Sequence, residues 1–183
     1  MTAIKLVPAT WAGPFPPKMH PHEKLLRDFY AAFARRDAEG MARSYHADVF
    51  FTDPVFPRLR GGEAADMWRM LLARARDLEV TLDAVEADGD GGRARWTARY
   101  RYGRRGRPVV NRVRSMFAFR DGRIVRHYDH FSFWRWAAQA FGPAGALTGW
   151  FAPLKWAVRR QAARALERFS LARRDALEPS GPP

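Results

Sequence analysis

The chain has no cysteine. Disulfides, a thiol nucleophile and cysteine-ligated metal sites are excluded together, although that absence does not fix the compartment. Long apolar runs are missing as well. Mean hydropathy is −0.44, and no stretch reaches the roughly 20 apolar residues that a membrane-spanning helix needs. The opening MTAIKLVPATWAGPFPPKMHPH lacks the charged start and apolar core of a secretory leader, so cytoplasm is the default expectation. Lysine is scarce: of 32 basic residues only Lys5, Lys18, Lys24 and Lys155 are lysines. Acid is scarce too, with 19 Asp and Glu, a formal net charge of +13 and a pI of about 11.2. Such a balance suits a polyanionic partner. It equally suits an ordinary surface on which arginine replaces lysine, and the arginine excess favours that second reading, with no specific nucleic-acid site expected.

What is present is enough for one domain. In 183 residues, 47% are hydrophobic and 14% aromatic, which supports a sizeable core. Four parts are expected: a proline-rich arm over residues 1–21, a folded domain over 22–134, a basic helical extension over 135–174 and a loose tail over 175–183. No internal repeat is visible.

Within the domain, HEKLLRDFYAAFARRD places Leu25, Leu26, Phe29, Tyr30 and Phe33 at helical spacing. AEGMARSYH reads as a short second helix, DVFF as a strand ended by Asp53-Pro54, and GEAADMWRMLLARA as a third helix with Met67, Met70 and Leu71 on one side. The period then changes to two. LEVTLDAVEA puts Leu78, Val80, Leu82 and Ala84 on one face; RARWTARYRY puts Ala94, Trp96, Ala98, Tyr100 and Tyr102 on one face and four arginines with Thr97 on the other. VVNRVRSMFAF, the turn RDGR and IVRHYDHFSFW complete a run of strands. Three helices followed by antiparallel strands is an α+β layout, with the helices on the inner face of a curved sheet. On the outer face, Glu79 and Asp83 are expected to pair with Arg95 and Arg99.

Polar residues fall where core is expected. Alternation assigns Asn111, Val113, Ser115, Phe117 and Phe119 to one face of a strand, and Val125, His127, Asp129, Phe131 and Phe133 to one face of the next. An unpaired buried carboxylate or imidazole is costly, so Asn111, Ser115, His127 and Asp129 require mutual hydrogen bonds, a wet pocket or a ligand. An aspartate two residues from a histidine on the same face fixes its tautomer and raises its basicity. The pair is either a self-satisfied structural unit or an acid/base. Asp53 has the same two readings: an Asx turn before proline, or a carboxylate opening into the interior.

Taken together, FYAAFARRDAEGMARSYHADVFFTDPVF, the following GG and helix, and DGRIVRHYDHF resemble the nuclear transport factor 2-like superfamily, closest to its SnoaL-like and ketosteroid isomerase-like members. The resemblance covers about residues 22–134. It implies a cone of helices against a curved sheet around an apolar pocket. It implies a pocket lined by Phe29, Tyr30, Tyr45, Phe51, Trp68 and Trp96, and further by Tyr100, Asn111, Val113, Ser115, Phe117 and Phe131. The isomerases' proton-shuttling aspartate, in a strand-end D-P-V motif, falls on Asp53. Their oxyanion-holding tyrosine falls on Phe29, with Tyr30 one step round the helix, and their protonated aspartate on Ser115. The resemblance thus carries the base and departs at the oxyanion hole. Limonene epoxide hydrolase-like members place a last-strand aspartate where Asp129 stands; their Arg-x-Asp has its nearest counterpart in Arg95-Trp96-Thr97, which lacks the acid.

Beyond residue 134, PLKWAVRRQAARALERFSLARR carries the stripe Leu154, Val158, Ala162, Ala165, Leu166 and Phe169. Just before it, Phe141, Leu147, Trp150 and Phe151 surround flexible glycines. Eight basic residues from 135 to 174 face one acid, Glu167. The helix is expected to pack on its own domain or on a second subunit and to cap the pocket mouth, with an anionic membrane surface as the alternative. No metal site and no cofactor are expected; His46, His127 and His130 show no ligand spacing. The expected function is a pocket protein for a small apolar molecule, a homodimer. Either it works as a cofactor-free acid/base enzyme (isomerase, dehydratase, cyclase or epoxide hydrolase type) using Asp53 or the His127–Asp129 pair, or it is a non-catalytic binding module.

Overall fold

The structure, a computed structural model, describes residues 19–75, 77–149 and 151–177. Most of the proline-rich arm, Trp150 of the glycine-flanked segment and the last six residues of the tail lie outside them. Helix α1, Pro21–Ala34, begins on the last residue of the expected arm, with His20 as N-cap and Pro21 in the first turn, where a missing N–H costs nothing. Its buried residues Leu26, Phe29, Tyr30 and Phe33 recur at the predicted helical spacing. Helix α2, Ala38–Arg43, is capped by Asp37, whose side chain accepts from the Gly40 amide. It ends earlier than expected, because Tyr45 and His46 already belong to strand β1, Tyr45–Thr52. Strand β2, Leu59–Arg60, and helix α3, Gly62–Arg74, follow. Met67 and Met70 are buried as expected, but Leu71 is exposed and Leu72 takes the inner position.

Strands β3 (Glu79–Ala87), β4 (Gly92–Tyr102), β5 (Arg107–Arg120) and β6 (Arg123–His130) complete one six-stranded sheet in the order β2-β1-β6-β5-β4-β3. All neighbours are antiparallel except β1 and β6, which run parallel, so the strand carrying Asp53 at its end lies beside the strand carrying His127 and Asp129. The β5–β6 turn is Asp121-Gly122, both at positive φ, the geometry that two-residue hairpins favour.

Besides a register shift in β1 between Tyr45 and Phe50, two bulges alter the alternation in strands β3 to β6. One at Asp83 pairs Leu82 with Trp96 and Ala84 with Arg95, so Val85 becomes buried and Ala84 only half-buried. The other leaves Val125 between Arg126 and Ile124, and Ile124 takes the core position. The first bulge also moves Asp83 away from Arg95, while Glu79 stays opposite Arg99 as expected. Asp83 accepts from the Thr97 hydroxyl at 2.8 Å, and the ion pairs on that surface are Arg93–Glu86 at 2.6 Å and Arg101–Asp77 at 3.6 Å. Arg95 stands opposite Arg114, and Arg114 opposite His130, a row of basic residue types across three strands.

Three helices close the chain: α4 (Phe133–Phe141), α5 (Pro143–Thr148) and α6 (Ala152–Leu177). Gly142, at φ 67°, separates the first two. Phe141 packs between Tyr102 and Trp136 rather than standing free. Helix α6 extends three residues into the expected tail. Its stripe Leu154, Val158, Ala162, Ala165, Leu166 and Phe169 lies against the core of the same chain. Asp66 of α3, itself buried, fastens it by accepting from Ser170 Oγ at 2.9 Å and Arg173 Nη1 at 3.3 Å, beside its own Arg69 at 2.9 Å. Such a shared, partly shielded carboxylate stabilises more than the exposed pairs elsewhere on the surface.

Candidate active site

One hydrogen-bonded chain of side chains runs through the interior and ends on Asp129. Trp68 Nε1 donates to Tyr45 Oη at 2.8 Å, and Tyr45 Oη lies 2.8 Å from His127 Nδ1. His127 Nε2 lies 3.0 Å from Asp129 Oδ1. From the other side, Tyr30 Oη and Trp96 Nε1 donate to Ser115 Oγ at 2.9 and 2.8 Å, and Ser115 donates to the same Asp129 Oδ1. Hydrogen counting fixes the directions. The Asp129 carboxylate can only accept, so Nε2 of the neutral imidazole carries the proton towards it and Nδ1 accepts the Tyr45 hydrogen, while Tyr45 accepts from Trp68. Ser115 uses both acceptor positions and its single donor. Among the described residues no buried side-chain nitrogen or oxygen lacks a partner. The chain reconciles burial with polarity: His127 is 1% exposed and Asp129 8%, and two donors on one oxygen offset the cost of taking a carboxylate out of water.

The deep end of the cone is filled. His127 sits 5.0 Å from the Phe51 ring, 4.4 Å from Phe117 and 5.7 Å from Phe29, with Trp68 stacked at 6.4 Å. These rings, with Tyr30, Tyr45, Trp96 and Val113, form the closed core. The expected lining residues therefore divide. Phe29, Tyr30, Tyr45, Phe51, Trp68, Trp96, Val113, Ser115 and Phe117 pack against each other or serve the hydrogen-bond chain. Tyr100 and Asn111 are half-buried towards the α4 end of the sheet, with Phe131 just after β6. Burial raises the tyrosine hydroxyls: Tyr30 and Tyr45 lie well above the ordinary range, Tyr30 also through the Asp129 charge, and Tyr100 reaches about 12.

Asp53 occupies the first position after β1. Its Oδ1 accepts from the amides of Val55, at 2.7 Å, and Phe56, and its own amide donates to Phe56 O at 2.9 Å. This is the Asx turn that Asp-Pro favours. The turn occupies one carboxylate oxygen only. Burial, opposed by the Phe56 amide and assisted by the negative charge of Asp129, lifts the Asp53 carboxyl to about 7. Arg159 pulls the other way. The folded state then holds a proton on Asp53 that the unfolded chain has lost. This group's effect on stability becomes unfavourable as pH rises from about 4 to about 7.

Sequence reasoning missed two residues near this end. Trp136 of α4 is buried and donates from Nε1 to Tyr100 Oη at 2.8 Å. Arg159 of α6 donates from Nε to Pro54 O at 2.9 Å, which places a cation beside the Asp53 loop. Its position next to Val158, at the border of the apolar stripe, was the available signal. Chemically, the arrangement offers a carboxyl that titrates near neutrality, within electrostatic reach of a second, rigidly oriented carboxylate.

A family profile described as a SnoaL-like domain matches residues 26–127. No curated protein matches the chain. Among solved structures, a nuclear transport factor 2-like protein of unknown function from Burkholderia pseudomallei is 23% identical, over 62% of this chain and 92% of that one, with a TM-score of 0.55. An epoxide hydrolase of the limonene epoxide hydrolase-like kind from Mycobacterium tuberculosis is 24% identical, over 75% and 98%, with a TM-score of 0.55. A polyketide cyclase candidate from Streptomyces antibioticus is 22% identical, over 66% and 98%, with a TM-score of 0.54. At these identities the likeness shows a shared fold and nothing finer.

Proposed function

The chain belongs to the SnoaL-like domain family, and from that premise we propose that it takes up a small, largely apolar molecule at the Asp53 end of the cone and acts on it by acid–base chemistry between Asp53 and Asp129. The observation that carries this reading is the parallel pairing of β1 with β6, which past Thr52–Tyr128 sets Asp53 beside Asp129 with one Asp53 oxygen outside the Asx turn. Burial and the Asp129 charge accordingly lift the Asp53 carboxyl to about 7. A group titrating near the working pH is populated in both protonation states and can take or give a proton at little cost. Asp129, with Ser115 and His127 donating to it, is the oriented partner that holds or receives charge. His127 supports Asp129 rather than meeting substrate, since both its nitrogens are bonded and aromatic rings enclose it. Proton shuttling of this kind serves isomerisation, dehydration, cyclisation or epoxide opening, and relatives of the same fold include an epoxide hydrolase and a cyclase candidate.

A second reading has its own observation. The Trp68-to-Asp129 chain is saturated by the protein itself, which is what a non-catalytic ligand-binding module needs from its core. The experiment is a panel of small epoxides, enones and aromatic polyketide-like ketones, assayed for turnover and for binding from pH 5 to 9. Turnover changing through a single ionisation near 7 supports the acid–base reading. Saturable binding without turnover of any panel member supports the module.

A further inference from the structure

We propose that the outer face of α6 docks the protein on an anionic lipid surface. The proposal stands apart from the acid–base reading and does not depend on it. Helix α6 is 26 residues long, about 39 Å, and its two faces are chemically different. The inner stripe is spent on the core. On the outer side Trp156, Arg160, Arg164 and Leu171 follow one another at helical spacing and are all exposed, Trp156 by 61% and Leu171 by 51%. Arg168 and Arg174 flank them, also exposed, and Leu177 ends the helix 64% exposed.

The arginines of α6 divide by use. Arg159 and Arg173 are engaged by Pro54 and Asp66. Arg160, Arg164, Arg168 and Arg174 make no ion pair among the described residues, and Arg160 instead lies 5.0 Å over the Trp156 ring. Glu167 and Asp175 are the acids on that side. An outward tryptophan and leucines set among arginines that outnumber the acids match the boundary of an anionic bilayer, where phosphates meet guanidinium groups and an indole sits at headgroup level. The row Arg95–Arg114–His130 on the sheet has exposed Val110 and Met116 on the same face of β5 but no exposed tryptophan to sit at headgroup level, so it matches less well. A second copy of a chain with net charge +13 would meet like charge there. Because the main apolar stripe of α6 is already buried in protein, attachment rests chiefly on charge and must weaken with salt.

The test is co-sedimentation of the full chain with phosphatidylcholine vesicles, with and without phosphatidylglycerol. Binding is expected only to the anionic vesicles, reversed by salt. The triple variant Arg160→Gln, Arg164→Gln, Arg168→Gln should bind on the order of a hundredfold more weakly, and Trp156→Ala several-fold more weakly. Arg95→Gln, Arg112→Gln, Arg114→Gln on the sheet removes the same charge elsewhere and should cost much less. All these positions are exposed, and thermal melts confirm that each variant is folded. Equal or absent binding to both vesicle types overturns the proposal. So does a sheet variant as weak as the α6 variant, which would reduce the effect to net charge. Tighter capture of duplex DNA than of anionic vesicles, lost in the α6 variant, would assign the face to nucleic acid instead.

Discussion

Asp53→Asn is expected to lower turnover at pH 7 by two or more powers of ten while ligand affinity changes far less. The size is that of a positioned acid or base, and a hundredfold loss corresponds to about 2.7 kcal/mol of transition-state stabilisation. The substitution is clean because the amide oxygen of Asn can still accept from Val55 and Phe56, so the Asx turn and the β1–β2 connection persist. Only the titrating proton is lost. Asp129→Asn is a less selective lesion: its oxygen receives both Ser115 and His127, and an amide in that place has to turn its oxygen to both donors or leave one unmet. Turnover retained in Asp53→Asn, on a substrate from the panel, removes Asp53 from the chemistry.

His127→Ala should destabilise the fold by about 3–5 kcal/mol, read by chemical denaturation. Two losses combine. The ring fills a space bounded by Phe29, Phe51, Trp68 and Phe117, and its removal leaves a cavity that these large, mutually packed rings cannot close. The Tyr45 hydroxyl also loses its acceptor and Asp129 one of its two donors, all in a dry interior. For a chain of this length each kcal/mol lowers Tm by roughly 2–4 °C, so a fall of about 10 °C is expected. A cost under about 1 kcal/mol would show that the ring does not occupy this packed position. His127→Gln, able to keep one of the two hydrogen bonds, should lie between.

The layout was readable where local chemistry and periodicity agree. The α1 spacing of Leu26, Phe29, Tyr30 and Phe33, the Asp121-Gly122 turn, the inward placement of Ser115, His127 and Asp129, and the stripe of α6 from Leu154 to Phe169 all follow from helical or two-residue repeats. Period alone does not show a bulge, and one extra residue at Asp83 or Val125 exchanges the faces on either side. The expected ion pairs of Asp83 failed for that reason. Strand direction was likewise hidden: nothing local to DVFF says that β1 runs parallel to β6, yet that pairing sets Asp53 near Asp129. The hydrogen-bond chain from Trp68 to Asp129 joins residues up to 82 positions apart in sequence, and only the fold unites them. Trp136 and Arg159 escaped because they lie beyond the stretch that the family resemblance covers.

The central claim, that Asp53 and Asp129 share one poorly solvated site in which Asp53 is poised near neutrality, is tested most directly by following the Asp53 carboxyl carbon by NMR as a function of pH. In the wild-type chain it should titrate at about 7. In Asp129→Asn the value should fall, because a neighbouring negative charge is removed, and in Arg159→Gln it should rise, because a neighbouring positive charge is removed. An Asp53 that titrates near the ordinary value of about 3.9 in the wild type, and does not respond to either substitution, would contradict the account.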